Sequence, residues 1–387
     1  MKILSLTRPN FLRIPVILVF ALYMILIAAR FVPINKIAML MIIGLILFRG
    51  LIYFKDIKLT RTVSFLFIIV FYNMILLLFF PSIHGLYYFF VQLISFTFIT
   101  ILTLGTLEET YLIRLSKLFN TFYYIFSIVF LIALALGKVN MTEQSFALGI
   151  YQPIFALSYF MLLQSKRPYL IIVWLASMPF LSGERGIAIS LIILILIYYL
   201  IPILKLHKQI YKLFFWVVAF GVTSFQFVYV WLSSTEFGIR LNQLSGTYTE
   251  QNFFSGRQTI WGIMNDIILD SPFYGYGIGI GNSILESYNL YMSAHNTYVE
   301  ILLSGGFIAL FLFFGFMYSI WISMFEYLGE KSIRLSMSFL IATLIFGVNG
   351  VIFIGNDMSF TLFIWLIIGI ASMRRNYIRQ KIRNCDV

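Results

Sequence analysis

SGERGIAISLIILILIYYLIPILKLHKQIYK, residues 182–212, is the stretch whose reading decides the fold. From Gly186 to Leu204 it carries no charged residue, and lysines 205, 208 and 212 close the run. A helix of that length rises about 28 Å at ~1.5 Å per residue, close to the ~30 Å of a bilayer's hydrocarbon core. The run therefore reads as a membrane span with a basic end and, at Ser182-Gly-Glu-Arg-Gly186, a short turn at its other end. Working outward, the whole chain repeats the pattern. Its 387 residues are 61% hydrophobic and 11% charged, against about 25% charged in soluble domains.

Comparable apolar runs lie near 14–29, 37–54, 62–80, 86–107, 118–136, 147–163, 169–182, 186–204, 213–232, 297–325, 335–353 and 358–373. The expected fold class is an all-α polytopic integral membrane protein of about 12 transmembrane helices. The first run follows Lys2, Arg8 and Arg13 and meets no small-residue cleavage site before Arg30, so it reads as an uncleaved span. With the N-terminus in the cytoplasm, 21 of the 27 Lys and Arg residues fall in inner segments. Only Arg30, Lys36, Lys138, Arg185, Arg240 and Arg257 lie outside. The positive-inside rule then puts both termini in the cytoplasm. The net charge of +12 is thus topology, not a nucleic-acid face. The chain divides into spans one to nine (1–232), a large extracytoplasmic loop (233–296), spans ten to twelve (297–373) and a basic cytoplasmic tail (374–387). The tail sequence RRNYIRQKIR acts as a stop-anchor, or touches anionic membrane lipid.

The loop is the one long interruption, and long loops in compact proteins are functional or disordered. This one predicts short helices. Ser255 is a candidate cap, Ile260, Ile263, Met264, Ile267 and Ile268 recur at helical spacing, and Asp270-Ser271-Pro272 stops the pattern. Gly275, Gly277, Gly279 and Gly281 follow at alternate positions. Neither spacing nor context fits a dinucleotide fingerprint. Backbone without side chains approaches a phosphate or sugar closely; a flexible tether is the equal alternative. A single cysteine, Cys385, excludes intramolecular disulfides and multi-thiolate zinc sites. No histidine or carboxylate spacing suits a metal, and no G-x-S-x-G elbow occurs.

Two outer arginines stand against the topological preference. Arg185 heads the quoted span and Arg257 opens the loop helix. A guanidinium offers planar, bidentate donors to phosphate, and a helix start favours an anion. Ion pairing with Glu184 or snorkelling to headgroups is the plainer role for Arg185. His295, one of three histidines, stands just before the run at 297–325. It is either an interface residue or a neutral base that takes a proton from a hydroxyl. Thr297 and Glu300 fit the S/T-x-x-E capping box, which makes Glu300 structural.

Taken in order, LSGERGIAISLIIL (181–194), SGRQTIW (255–261), SPFYGYGIG (271–279) and AHNTYVEILLSGGFIALF (294–311) resemble the O-antigen ligase and polymerase superfamily of bacterial envelopes. Glu184 is a departure, because many members have serine before that arginine. The resemblance implies a GT-C-like membrane glycosyltransferase in the bacterial cytoplasmic (inner) membrane, with its active site facing the periplasm. Donor and acceptor would be undecaprenyl-diphosphate-linked oligosaccharides, and a chain-length regulator protein is a further implied partner. Arg185 and Arg257 would hold the diphosphate, His295 would handle the acceptor proton, and Asn296, Gly275, Gly277 and Gly279 would line the substrate. The leaving group already carries stabilised negative charge, so the chemistry requires no metal and no cofactor. A polymerase is preferred because polymerases are the more numerous group. A ligase acting on lipid A core is the alternative. A flippase or other transporter would favour charges deep within spans, whereas here they lie at span ends.

Overall fold

The computed structural model describes residues 59–135, 157–166, 185–249, 253–254, 256–280, 294–353 and 358–385, with Gly44, Ile46, Phe155, Ile284 and Glu286 besides. The runs at 14–29, 37–54 and 169–182 lie outside these residues, apart from Gly44 and Ile46. Among the described residues every regular element is helical. The helices are α1 (Arg61–Phe79), α2 (Ile83–Leu104), α3 (Glu109–Ala135), α4 (Arg185–Leu204), α5 (Lys208–Ser233), α6 (Glu236–Thr249), α7 (Arg257–Asp270), α8 (Thr297–Ser323), α9 (Lys331–Phe346) and α10 (Met358–Cys385). Of these, α1, α2, α4, α5 and α8 are long and apolar enough to cross a membrane. Residues 157–164 are also helical, inside the run at 147–163.

Local chemistry sets the helix starts. Thr60 Oγ1 accepts the Val63 N–H at 3.3 Å to cap α1, and Ser82 Oγ accepts the Gly85 N–H at 2.9 Å to cap α2. Lipid offers no hydrophobic drive between spans, so close approach over small residues does the packing. A methyl on Gly315 of α8 would come within 2.7 Å of the Phe65 ring of α1. One on Gly369 of α10 would come within 2.7 Å of Leu102 of α2. Helices α4, α9, α10 and α2 pack in that order. In contrast, α5 exposes Phe220 at 76% and Trp231 at 65%, surface that suits lipid rather than water.

The basic ends of the helices form one polar layer. Tyr211 and Trp321 stack at 4.1 Å, and each donates its side-chain hydrogen to the other's carbonyl at 3.0 Å. The buried Arg374 pairs with Glu330 at 2.9 Å and Glu109 at 3.4 Å, and these are the ion pairs among the described residues. Lys331 donates to the Ser165 carbonyl, and Arg379 to the Tyr327 hydroxyl. Two boundaries differ from expectation. The residues read as a basic tail continue α10 through Cys385. The run at 335–353 starts earlier, at Lys331, and its helix stops at Phe346; Gly347 to Gly350 leave the helix as a turn.

Helix α8 is broken at Gly305 and Gly306, where φ is −146° and +63°. The segment after α7 is bonded to this break. Tyr276 and Gly277 N–H groups donate to the carbonyls of Leu303 and Ser304 (2.8 and 3.0 Å), and the Phe307 N–H donates to Pro272 (2.7 Å). The Tyr72 hydroxyl donates to the Gly305 carbonyl at 2.8 Å. Backbone groups freed by a broken span must be satisfied inside the protein, and this clasp does so. A Cβ on Gly306 would sit 2.3 Å from the Phe273 backbone at a positive φ. Gly306→Ala is therefore expected to destabilise by at least ~2 kcal/mol, read as lost membrane abundance and a lower Tm in detergent. Gly262→Ala is the contrast: its nearest neighbour is 3.8 Å away, and alanine favours the helix. It should be tolerated.

Candidate functional site

At the end opposite the basic layer, α7 carries Arg257 on its first turn. Gly256 is the N-cap, with φ +80°, a conformation open to glycine. Ser255, the expected cap, lies outside the described residues. The Arg257 N–H donates to the Phe254 carbonyl at 3.2 Å, and the Tyr229 hydroxyl of α5 donates to the same carbonyl at 2.5 Å. Buried Trp261, Met264 and Ile268 hold α7 to the bundle, and Gln226 of α5 donates to Asn265 at 3.1 Å. The helix that bears Arg257 is thus fixed along its length.

Trp261 does more than pack. Its indole N–H donates to the Ala294 carbonyl at 3.0 Å, which anchors the residue before His295. Ala294 and Asn296 are buried while His295 between them is exposed. His295 has φ +47°, the one non-glycine residue with positive φ among those described. Holding an imidazole in that region costs on the order of 1–3 kcal/mol, and such strain clusters at functional positions. Partial desolvation of the ring, and then the Arg257 guanidinium, hold its pKa below the ordinary imidazole value. The Arg257 guanidinium is thus within electrostatic reach of the ring, and both effects favour its neutral form.

The start of α8 corrects one expectation. Asn296, not Thr297, is the N-cap: its Oδ1 accepts the N–H groups of Tyr298 (2.8 Å) and Val299 (3.3 Å). Thr297 instead joins α8 to the turn after α9. Its N–H donates to Gly347 (2.8 Å), its hydroxyl donates to Gly350 (2.7 Å), and that hydroxyl accepts the Ile352 N–H (3.0 Å). With Asn296 as cap, the third helical residue is Val299, so the Thr297–Glu300 capping box does not form. Glu300 has no capping duty. Asn296 Nδ2 is buried with no hydrogen-bond partner among the described residues.

Asn349, in that same turn, accepts a hydrogen bond from Arg257 Nη1 at 3.0 Å. A methyl on Gly186 would come within 3.0 Å of Asn349 Nδ2, so the start of α4 lies against it too. Arg185 is the first residue of α4, and its backbone is therefore beside Asn349; its side chain lies outside the described part. Arg257 has no carboxylate partner among the described residues. A half-buried guanidinium held by a neutral amide keeps its charge for a ligand.

Gly275, Gly277 and Gly279 sit past the far end of α7, whose ends are about 20 Å apart at ~1.5 Å per residue. Each has positive φ, and the side each would fill with a Cβ is taken by Leu303 O, Phe80 and Tyr88 respectively, all within 2.6 Å. Their bareness is used in packing against the α8 break, the α1–α2 turn and the start of α2. Asn349 was missed by sequence reasoning. Its only signal is the G-V-N-G stretch (347–350) interrupting an apolar run.

The fold and site define a helical membrane protein that sets the Arg257 guanidinium and the His295 imidazole at the end away from its basic layer. Residues 170–314 match the family model described as O-antigen ligase, which supports the O-antigen ligase and polymerase superfamily for this chain. The matched segment contains Arg185, Arg257, Gly275, Gly277, Gly279, His295 and Asn296, and ends before Asn349. No curated protein matches the chain.

Proposed function

We propose that the chain is a GT-C-like glycosyltransferase of about twelve spans in the bacterial inner membrane, polymerising lipid-linked repeat units at the periplasmic face. The hydroxyl of one undecaprenyl-diphosphate-linked repeat attacks the anomeric carbon of another. The new glycosidic bond forms as the bond from that carbon to the phosphate oxygen breaks, and undecaprenyl diphosphate leaves. His295 takes the hydroxyl proton as general base and returns it to solvent. Arg257, with Arg185, receives the charge growing on the leaving diphosphate, an electrostatic role that often dominates a barrier. Asn296 and the glycine stretch belong to the substrate-binding part of the same proposal, and a chain-length regulator is a proposed partner.

The observation that carries this reading is Arg257: half-buried, held by the Asn349 amide, without a counter-carboxylate among the described residues, and close enough to act on His295. The second reading, a ligase that transfers finished glycan to lipid A core, is favoured by the matched model's own description. Deletion of the gene followed by gel display of surface polysaccharide separates them. A polymerase deletion is expected to leave core capped by a single repeat. Bare core with accumulated lipid-linked polymer would establish the ligase instead, and repeats trapped inside the cell would indicate a transporter.

A further inference from the structure

The turn Gly347-Val-Asn-Gly350 lies outside the matched segment, yet it bonds to both halves of the site. Its glycine carbonyls take both hydrogens of Thr297, two residues after His295. Its Asn349 takes Arg257 Nη1 and packs on Gly186, next to Arg185. Three segments distant in sequence thus converge on four residues. We propose that Asn349 is a positioning residue for Arg257, fixing the guanidinium plane toward the departing diphosphate while leaving its charge uncompensated. This rests on the diphosphate reading above.

The choice of residue follows from the chemistry. A guanidinium only donates, so the contact needs an acceptor oxygen. A carboxylate would supply one but would neutralise Arg257 and compete with an anionic ligand. An amide oxygen restrains one Nη and leaves the remaining N–H groups for phosphate oxygens. The Thr297 bonds keep the turn in register with α8, so the restraint on Arg257 is referenced to the strand of chain that carries His295.

The test uses the full chain in nanodiscs with His84→Gln and His207→Gln, which leaves His295 as the single histidine of three. Carbethoxylation by diethyl pyrocarbonate follows the neutral imidazole, so its rate against pH reports the His295 midpoint without any glycosyl transfer. Asn349→Asp should raise that midpoint by about half a pH unit or more, because a carboxylate offsets the Arg257 charge felt by the ring. Arg257→Gln should move it the same way. In the transfer assay, Asn349→Asp should raise the donor KM at least about tenfold, through lost anion attraction. Asn349→Ala should lower kcat about tenfold with a smaller change in KM, through lost orientation. Asn349→Ser keeps an oxygen acceptor and should recover part of that kcat. An unmoved His295 midpoint in Asn349→Asp at normal abundance overturns the proposal. So does equal loss in the Ser and Ala variants, which serves as the deciding comparison should the Asp variant fail to reach the membrane. A shifted midpoint with turnover intact would instead sink the diphosphate reading and leave the Asn349–Arg257 coupling in place.

Discussion

Arg257→Lys is expected to cut glycosyl transfer by about 10²–10³-fold, the usual cost of removing one preorganised donor to a developing anion, with membrane abundance unchanged. Lysine keeps the charge but concentrates it on one ammonium with no planar fork. In the wild-type chain one Nη donates to Asn349 at 3.0 Å, and no other side-chain partner holds the group among the described residues. A lysine engaged with Asn349 has less to give a diphosphate, and one engaged with the diphosphate abandons Asn349. The stability cost is expected to be small, because the guanidinium is neither fully buried nor ion-paired among the described residues. The measurement is turnover of purified lipid-linked repeat by reconstituted protein, normalised to membrane abundance. Polymer of wild-type length and yield would take Arg257 out of the site.

His295→Ala is expected to lower turnover by about 10²–10⁴-fold, the usual contribution of a general base. The pH profile gives a sharper test. The base is the neutral imidazole, so activity falls as pH drops through the His295 pKa. Desolvation and the Arg257 charge hold that pKa below the ordinary value, which keeps the acid limb of the profile low and leaves full activity at pH 7. Removing the cation reverses part of the shift: in Arg257→Gln the residual activity should show its acid limb at higher pH. His295→Gly adds a stability contrast. Glycine accepts φ +47° without cost, so this variant should be at least as stable as wild type and equally inactive. Full turnover by either His295 variant would reduce the residue to a surface histidine at a helix start.

Much of the scaffold was legible in the chain itself. The five candidate spans α1, α2, α4, α5 and α8 coincide, within a few residues, with apolar runs. Hydropathy over some twenty residues is a local property that lipid enforces directly. The loop helix is another local success: its pattern begins near Ser255 and stops at Asp270, and the helix runs from Arg257 to Asp270. Arg257 and His295, on which the proposed function rests, were picked out on local grounds too. Each stands out against its own neighbours, as a cation against the expected charge split and a rare histidine at a helix start.

What only the tertiary structure decided are contacts between residues far apart in the chain. Asn296 and Thr297 are both able to cap α8. Local propensity does not separate them; Gly347, Gly350 and Ile352, about fifty residues away, do so by engaging Thr297 and leaving the cap to Asn296. The glycine repeat looked equally like a ligand cradle and a tether. It is clasped to the α8 break by bonds that exist only once the two segments meet. Asn349 reaches Arg257 across 92 positions and shows nothing in sequence beyond two flanking glycines. Span formation depends on each segment's own transfer into lipid, which composition determines. The orientation of Arg257 beside His295 depends on hydrogen bonds between three separate segments, and only the packed bundle brings those segments together.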